Sequence, residues 1–222
     1  MDFYGTVVEE IRIPVKEICD RICAVSPASI KEEEVVAYWG KIFSGLCAQS
    51  FGSAFRLQRE LEVLSLQDAL QHFNIDLDAR ILSQTISDYR AHPTLFPESM
   101  SVLSQCRIPI CLVTNIDNVE IYSAVRYDSL HFDFIVTSED CQSYKPRPET
   151  FEKALLLLNL TAKDVLHVGD SLQSDVMGAH NMGIPALWIN RRKRPAHSFT
   201  LRPEYTACDL TGLLDVLECK EK

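Results

Sequence analysis

The sequence predicts an α/β fold: a doubly wound parallel sheet, interrupted after its first strand by a helical segment. Three observations carry this. From Pro97 onward, short apolar runs alternate with amphipathic stretches. Between about Arg12 and Ala91 the pattern is almost wholly helical. The first residues, Met1 to Thr6, read as the end of a strand entering a turn. Alternation of strand and helix implies right-handed β-α-β units and a Rossmann-like sheet. The expected organisation is an α/β core of residues 1–11 and 93–222 and a helical insert of residues 12–92.

Each element has a local reason. Pro14 can open a helix with the apolar stripe Ile18, Ile22 and Val25. Ser26-Pro27 breaks it, and Ser29 with Glu32 reads as a capping box for the next helix. That helix carries Val35, Val36, Trp39, Ile42, Phe43 and Leu46. Further helices are expected over Leu66 to Phe73 and Asp78 to Tyr89, before His92-Pro93 and Phe96-Pro97 end the region. Then follow a helix at Ser99 to Gln105 and a buried strand at Ile108 to Val113. A helix at Val119 to Val125, a strand at Phe132 to Val136 and a helix at Pro148 to Leu158 come next. The chain ends with a strand at Val165 to Val168, a helix at Ser174 to Met182 stopped by Gly183, a strand at Pro185 to Ile189 and a helix at Leu210 to Leu217.

The 222 residues are 46% hydrophobic and 24% charged, which excludes a disordered or fibrous chain. The net charge of −9 argues against a broad nucleic-acid surface, so an anionic ligand would need a local positive site. No run is long and apolar enough to span a bilayer, and no stretch reads as a signal peptide. The eight cysteines are scattered, with no C-x-x-C and no zinc spacing, as expected for reduced thiols in a cytoplasmic protein. No nucleic-acid or membrane partner is expected.

In sheets of this kind, ligands bind at the carboxyl ends of the strands. Four groups of residues lie there. They are Asp2-Phe3-Tyr4-Gly5-Thr6, Thr114-Asn115, Lys145-Pro146, and Gly169-Asp170-Ser171 with Asp175 five residues past Asp170. A carboxylate can attack an electrophile and form a covalent intermediate. Several carboxylates on one edge would hold a hard cation such as Mg²⁺. A lysine screens and orients such groups, and a threonine hydroxyl with backbone N–H groups can bind phosphoryl oxygens.

These four motifs, in this order, resemble the haloacid dehalogenase-like hydrolases over nearly the whole chain. The run His167-Val-Gly-Asp-Ser-Leu-Gln-Ser-Asp175 is the most specific of them. The resemblance implies Asp2 as nucleophile, with Thr114 and Lys145 in catalysis and Thr114, Asn115 and Lys145 binding substrate. It implies Mg²⁺ held by Asp2, Asp170 and the backbone carbonyl of Tyr4, supported by Asp175. The helical insert resembles the family's small cap, and the substrate would be a phosphorylated, or alternatively halogenated, small molecule.

One departure bears on the chemistry. The family's phosphatases usually place Asp two residues after the nucleophile, as a general acid and base. Here that position is Tyr4, whose ordinary pKa near 10 is poorly matched to proton transfer at neutral pH. Family dehalogenases often carry Tyr there. Against that reading, Tyr38-Trp39-Gly40 has Gly where such dehalogenases place an Arg, and Gly169-Asp170-Ser171 is the metal-binding form of the last motif. The expectation is therefore a Mg²⁺-dependent phosphatase favouring good leaving groups. A dehalogenase-type ester on Asp2, or a binding module that has lost its acid, are the alternatives.

Arg191-Arg192-Lys193-Arg194 reads as a solvated loop, Arg56 and Arg59 as possible anion contacts, and His92 and His167 as structural. A strand leading to Asp2 would lie mid-sheet and needs about five residues. Only Met1 precedes Asp2, so the native chain is expected to start upstream.

Overall fold

The computed structural model describes residues 1–26, 30–195 and 202–220, with only the backbone described at 219 and 220. Four helices form the insert: α1 (Arg12–Val25), α2 (Glu32–Gln49), α3 (Gln58–His72) and α4 (Ala79–Ala91). Then come α5 (Ser99–Gln105), β1 (Cys111–Thr114), α6 (Asn118–Tyr127), β2 (Phe134–Thr137), α7 (Ser138–Cys141) and α8 (Glu149–Leu158). β3 (His167–Gly169) leads through a π-helical turn at Leu172–Met177 into α9 (Gly178–Asn181), followed by β4 (Ala186–Ile189), β5 (Tyr205–Ala207) and α10 (Gly212–Lys220).

Strands β1 and β2 pair in parallel, as do β3, β4 and β5 in that order. The segment Met1–Asp2 joins the two groups. The Met1 amino group donates to the Cys111 carbonyl (2.8 Å), and the Val113 amide donates to the Met1 carbonyl (2.8 Å). The Asp2 amide donates to the Val168 carbonyl (2.7 Å). The nucleophile candidate is thus held mid-sheet between β1 and β3, at their carboxyl ends. One apolar cluster, including Phe3, Val7, Leu112, Ile121, Val168 and Leu187, packs the helices on this sheet.

A separate cluster holds the insert together: Ile18, Ile22, Val35, Trp39, Leu66, Leu70, Leu82 and Ile86. Trp39 satisfies its indole N–H on the Ser65 hydroxyl (2.9 Å), so it can be buried without an unpaired donor. The two connections between insert and sheet run side by side. The Glu9 amide donates to the Thr94 carbonyl (2.8 Å), and the Phe96 amide to the Val7 carbonyl (3.2 Å).

Several sequence expectations shift. Val25 and Val36 are exposed, so the apolar stripes of α1 and α2 are narrower than expected. Ser29 lies outside the described residues; α2 starts at Glu32 with Lys31 and Glu34 forming the capping contacts. α3 begins eight residues before the expected Leu66, because Asp117 of the sheet layer caps it from outside. β5 has a weak half-buried pattern and was not expected.

Candidate functional site

The four motifs converge on Lys145. Its ammonium has three donors, and all three are used. They go to Asp2 Oδ1 (2.7 Å), Asp175 Oδ1 (2.6 Å) and the Val113 carbonyl (2.7 Å). The loop that carries Lys145 is fixed by Asn115, whose side-chain oxygen accepts from the Lys145 amide (2.7 Å) and whose amide nitrogen donates to the Lys145 carbonyl (3.2 Å). The Asn115 side chain is therefore committed to placing Lys145. Burial disfavours the Lys145 ammonium, but Asp175 and Asp2 outweigh it and hold its pKa above the usual lysine value.

Asp175 is buried in the π-helical turn and fully engaged. Besides Lys145, its Oδ1 lies 3.1 Å from His167 Nε2, and its Oδ2 accepts from the Ser171 amide (3.0 Å). Burial works against its charge, yet Lys145 and His167 prevail and hold its pKa below the usual carboxylate range. Gly169 makes this approach possible: a Cβ there would come 2.3 Å from Asp175 Cγ. Burial lowers His167 to about 4, so the ring is neutral near pH 7. His167, assigned to structure from the sequence, is thus the support of Asp175.

Asp2, Asp170 and Asp175 offer oxygen atoms that lie within 4.8 Å of one another. Asp170 is the least compensated of the three. Its carboxylate is 3.5 Å from the Arg194 guanidinium. Burial, then Asp175 and Asp2, push its pKa up to about 8. Asp2 is raised by burial too, against the pull of Lys145. Gly5, at φ +83°, lets the turn after Asp2 pass so close to Asp170 that a Cβ would lie 2.6 Å from its Cγ. Three carboxylates against the Lys145 ammonium and the Arg194 guanidinium leave an excess of negative charge among hard oxygen donors, which suits a divalent cation such as Mg²⁺.

Thr114 ends β1 and is almost fully buried, with its hydroxyl accepting from the Ile116 amide (3.4 Å). The Tyr4 hydroxyl turns away from Asp2 and donates to the Arg90 carbonyl at the end of α4 (2.6 Å). Burial raises its pKa further above the ordinary tyrosine value. Tyr4 is thus unsuited to proton transfer near pH 7, and its side chain ties the turn to the insert. A cleft of about 370 Å³ opens beside Lys145, walled by Phe43 and Cys47 of α2 and by Asn115, Arg147 and Ser174. The Arg147 guanidinium stacks on Phe51, 3.6 Å from the ring centroid. Gly40 is exposed, and a Cβ placed there would meet no atom beyond its own helical turn within 4 Å.

The fold adds partners that the sequence does not show. The basic run is a loop with Arg192, Lys193 and Arg194 exposed, as expected, but three of its side chains are also tied down: Arg191, Arg192 and Arg194 bond to Thr6, Glu10 and Asp170 respectively. Arg56 and Arg59 line a different cleft, between α3 and α4. Asp117, just before α6, accepts from the Gln58 and Arg59 amides (2.8 and 3.1 Å) and so caps α3. These partners are 58 or more residues apart, and no local pattern marks them.

The family model of the haloacid dehalogenase-like hydrolases matches residues 1–189. Among curated relatives, the zebrafish (Danio rerio) haloacid dehalogenase-like hydrolase domain-containing protein 3 is 33% identical over 124 residues, which is 54% of this chain and about half (51%) of that protein. The pyrophosphatase PpaX of Bacillus anthracis is 23% identical over 97% of this chain and 94% of its own. An (S)-2-haloacid dehalogenase of Pseudomonas is 27% identical over 69% and 68%. In fold, the chain is similar to the L-2-haloacid dehalogenase RSc1362 (TM-score 0.79, 22% identity, 98% and 96% covered). It is also similar to YfnB from Bacillus subtilis, whose structure is bound to magnesium (TM-score 0.77, 20% identity, 98% and 96% covered). With the match spanning both arms of the sheet and the insert between them, the chain belongs to the haloacid dehalogenase-like hydrolases.

Proposed function

We propose that this hydrolase is a Mg²⁺-dependent phosphatase that works through an aspartyl-phosphate on Asp2 and favours substrates with good leaving groups. The observation that carries the reading is the set of Asp2, Asp170 and Asp175, whose oxygens lie within 4.8 Å of one another, against only Lys145 and the more distant Arg194 guanidinium. Asp2, Asp170 and the Tyr4 carbonyl would hold the ion, with Asp175 supporting from behind. Asp175 is the least available donor, because Lys145, His167 and the Ser171 amide already engage it. Bound Mg²⁺ would neutralise phosphoryl charge and lower the repulsion between two anions.

The chain's own residues do the rest. Lys145 holds Asp2 by one oxygen and leaves the other for attack on phosphorus. The new bond is Asp2 O–P; the bond to the leaving oxygen breaks, and its electron pair leaves with the product. Water then attacks the same phosphorus, restores the Asp2 carboxylate and releases phosphate. Thr114 and the backbone amides after β1 receive phosphoryl oxygens. Residues 12–92 act as a cap, and α2 supplies one wall of the cleft.

No aspartate stands at position 4, and the Tyr4 hydroxyl is engaged at Arg90. The leaving group must therefore depart without a proton from that position. Aryl phosphates, acyl phosphates and phosphoanhydrides meet this condition; simple alkyl phosphates do not. The pyrophosphatase relative acts, by its name, on an anhydride. A panel of phosphate esters with graded leaving-group pKa, run with and without Mg²⁺, tests the reading. Rates are expected to fall steeply as leaving-group pKa rises, and Tyr4→Asp is expected to restore alkyl-ester cleavage. Equal rates on aryl and alkyl esters contradict it.

Tyr4 also favours a second reading, a dehalogenase that forms a carbon ester on Asp2, in line with the dehalogenase relative. Halide release from a 2-haloacid without metal distinguishes it.

A further inference from the structure

The basic run just past β4 reaches three parts of the molecule that the proposed chemistry needs to hold still. Arg191 is the centre of it. One NH2 group donates to the Thr6 carbonyl (2.9 Å) and lies 2.6 Å from Glu98 Oε1. Its Nε lies 3.4 Å from the Gly5 carbonyl. The guanidinium plane covers the Phe96 ring at 3.4 Å from the centroid. Gly5 and Thr6 belong to the turn that follows Asp2; Phe96 and Glu98 belong to the connection returning from the insert.

We propose that Arg191 is a positioning residue that locks the Asp2 turn to the returning connection of the insert, so that nucleophile geometry and insert orientation are set together. This goes beyond the proposed chemistry and rests on it only for the kinetic arm of its test.

Two features favour a lock over a plain ion pair. The pair with Glu98 alone would leave the Gly5 and Thr6 carbonyls without a role, yet both face the guanidinium. The Gly5 turn also packs directly on Asp170, so a displaced Gly5 carbonyl displaces the carboxylate neighbourhood with it. Arginine meets all these demands at once, because its planar fork donates in the plane and stacks above it; lysine meets only the charge. Arg192 adds a tie to Glu10 on the outgoing connection, and Arg194 donates to the Asp170 carbonyl (2.7 Å). The segment thus touches both connections and the last motif.

Hydrogen exchange on the full chain, comparing wild type with Arg191→Met and Arg191→Lys, tests this without reference to substrate. In Arg191→Met the amides of Gly5, Val7, Glu9 and Phe96 are expected to exchange about tenfold faster or more, with α3, β3 and β4 unchanged. With an aryl phosphate, kcat is expected to fall about tenfold with KM within about twofold, since small misplacement of a reacting group costs rate rather than binding. Arg191→Lys should restore protection at Phe96, through Glu98, but not at Gly5. Unchanged exchange at the turn overturns the lock. So does exchange that rises uniformly through α3, β3 and β4, which marks global destabilisation. Local exchange with unchanged kcat and KM removes the positioning role. If the wild type cleaves no ester, the phosphatase reading fails while the exchange result still decides the lock.

Discussion

Two buried charge clusters lie on either side of the boundary between insert and sheet, and they are built differently. Around Lys145, the ammonium's three donors all have acceptors, and Asp175 receives contacts on both oxygens. Around Arg90 of α4, Glu62 of α3 lies 2.5 Å away and Glu120 of α6 lies 4.0 Å away. Yet Arg90 Nε and NH1 and Glu62 Oε2 have no hydrogen-bond partner among the described residues. The first cluster uses hydrogen bonds to fix atoms in place. The second ties α3, α4 and α6 together through Arg90, Glu62 and Glu120 and leaves several of its polar atoms without a partner among the described residues. Buried charge alone therefore does not mark a site; directional saturation around an excess of like charge does.

Substitutions should separate the two clusters. The largest effect is expected from Asp2→Asn, which removes the proposed nucleophile and should lower kcat by about 10³-fold or more while the chain stays folded. Activity within tenfold of wild type would move the chemistry elsewhere. Lys145→Met strips the counter-charge from buried Asp2 and Asp175 and should cost about 3–5 kcal/mol in urea unfolding.

In the Arg90 cluster, burial raises Glu62 from 4.5 to about 7, against the pull of Arg90 and with Glu120 and Asp117 reinforcing the rise. A folded chain then keeps a proton that the unfolded chain has lost. That contribution is present below pH 4.5 and disappears as pH rises through 7. Glu62→Gln should flatten this part of the stability profile by up to roughly 3 kcal/mol, read from denaturation midpoints between pH 4.5 and 8. An unchanged slope would show that Glu62 is ionised throughout. Smallest of all, Tyr4→Phe removes one hydrogen bond to the Arg90 carbonyl and should cost about 1 kcal/mol, with little change in leaving-group preference.

Most of the sheet layer was legible because its signals are local. Ser99–Gln105 begins and ends where the helical pattern does, and the strand ends locate Asp2, Thr114, Lys145 and Asp170 together. What escaped depends on distant partners. The start of α3 is set by Asp117 across the boundary, and the basic run is folded down by Gly5, Thr6, Glu10 and Glu98. His167 sits in an apolar strand and looks like packing until Asp175 is seen beside it. Tyr4 stands out in the sequence as a departure from the family's phosphatases, but its use as a tether to Arg90 depends on the fold.

The central claim is that Asp2 attacks phosphorus. Turnover of an aryl phosphate in ¹⁸O-labelled water, with Mg²⁺, followed by mass analysis of both phosphate and the Asp2 peptide, tests it most directly. The account predicts ¹⁸O in the released phosphate, none in the Asp2 carboxyl, and a phosphoryl group on the Asp2 peptide when turnover is acid-quenched, because Asp2 attacks phosphorus first and water attacks it second. Label in the Asp2 carboxyl, turnover with no phosphoryl group trapped on the Asp2 peptide, or metal-independent halide release from a 2-haloacid with no phosphate ester cleaved, would contradict it.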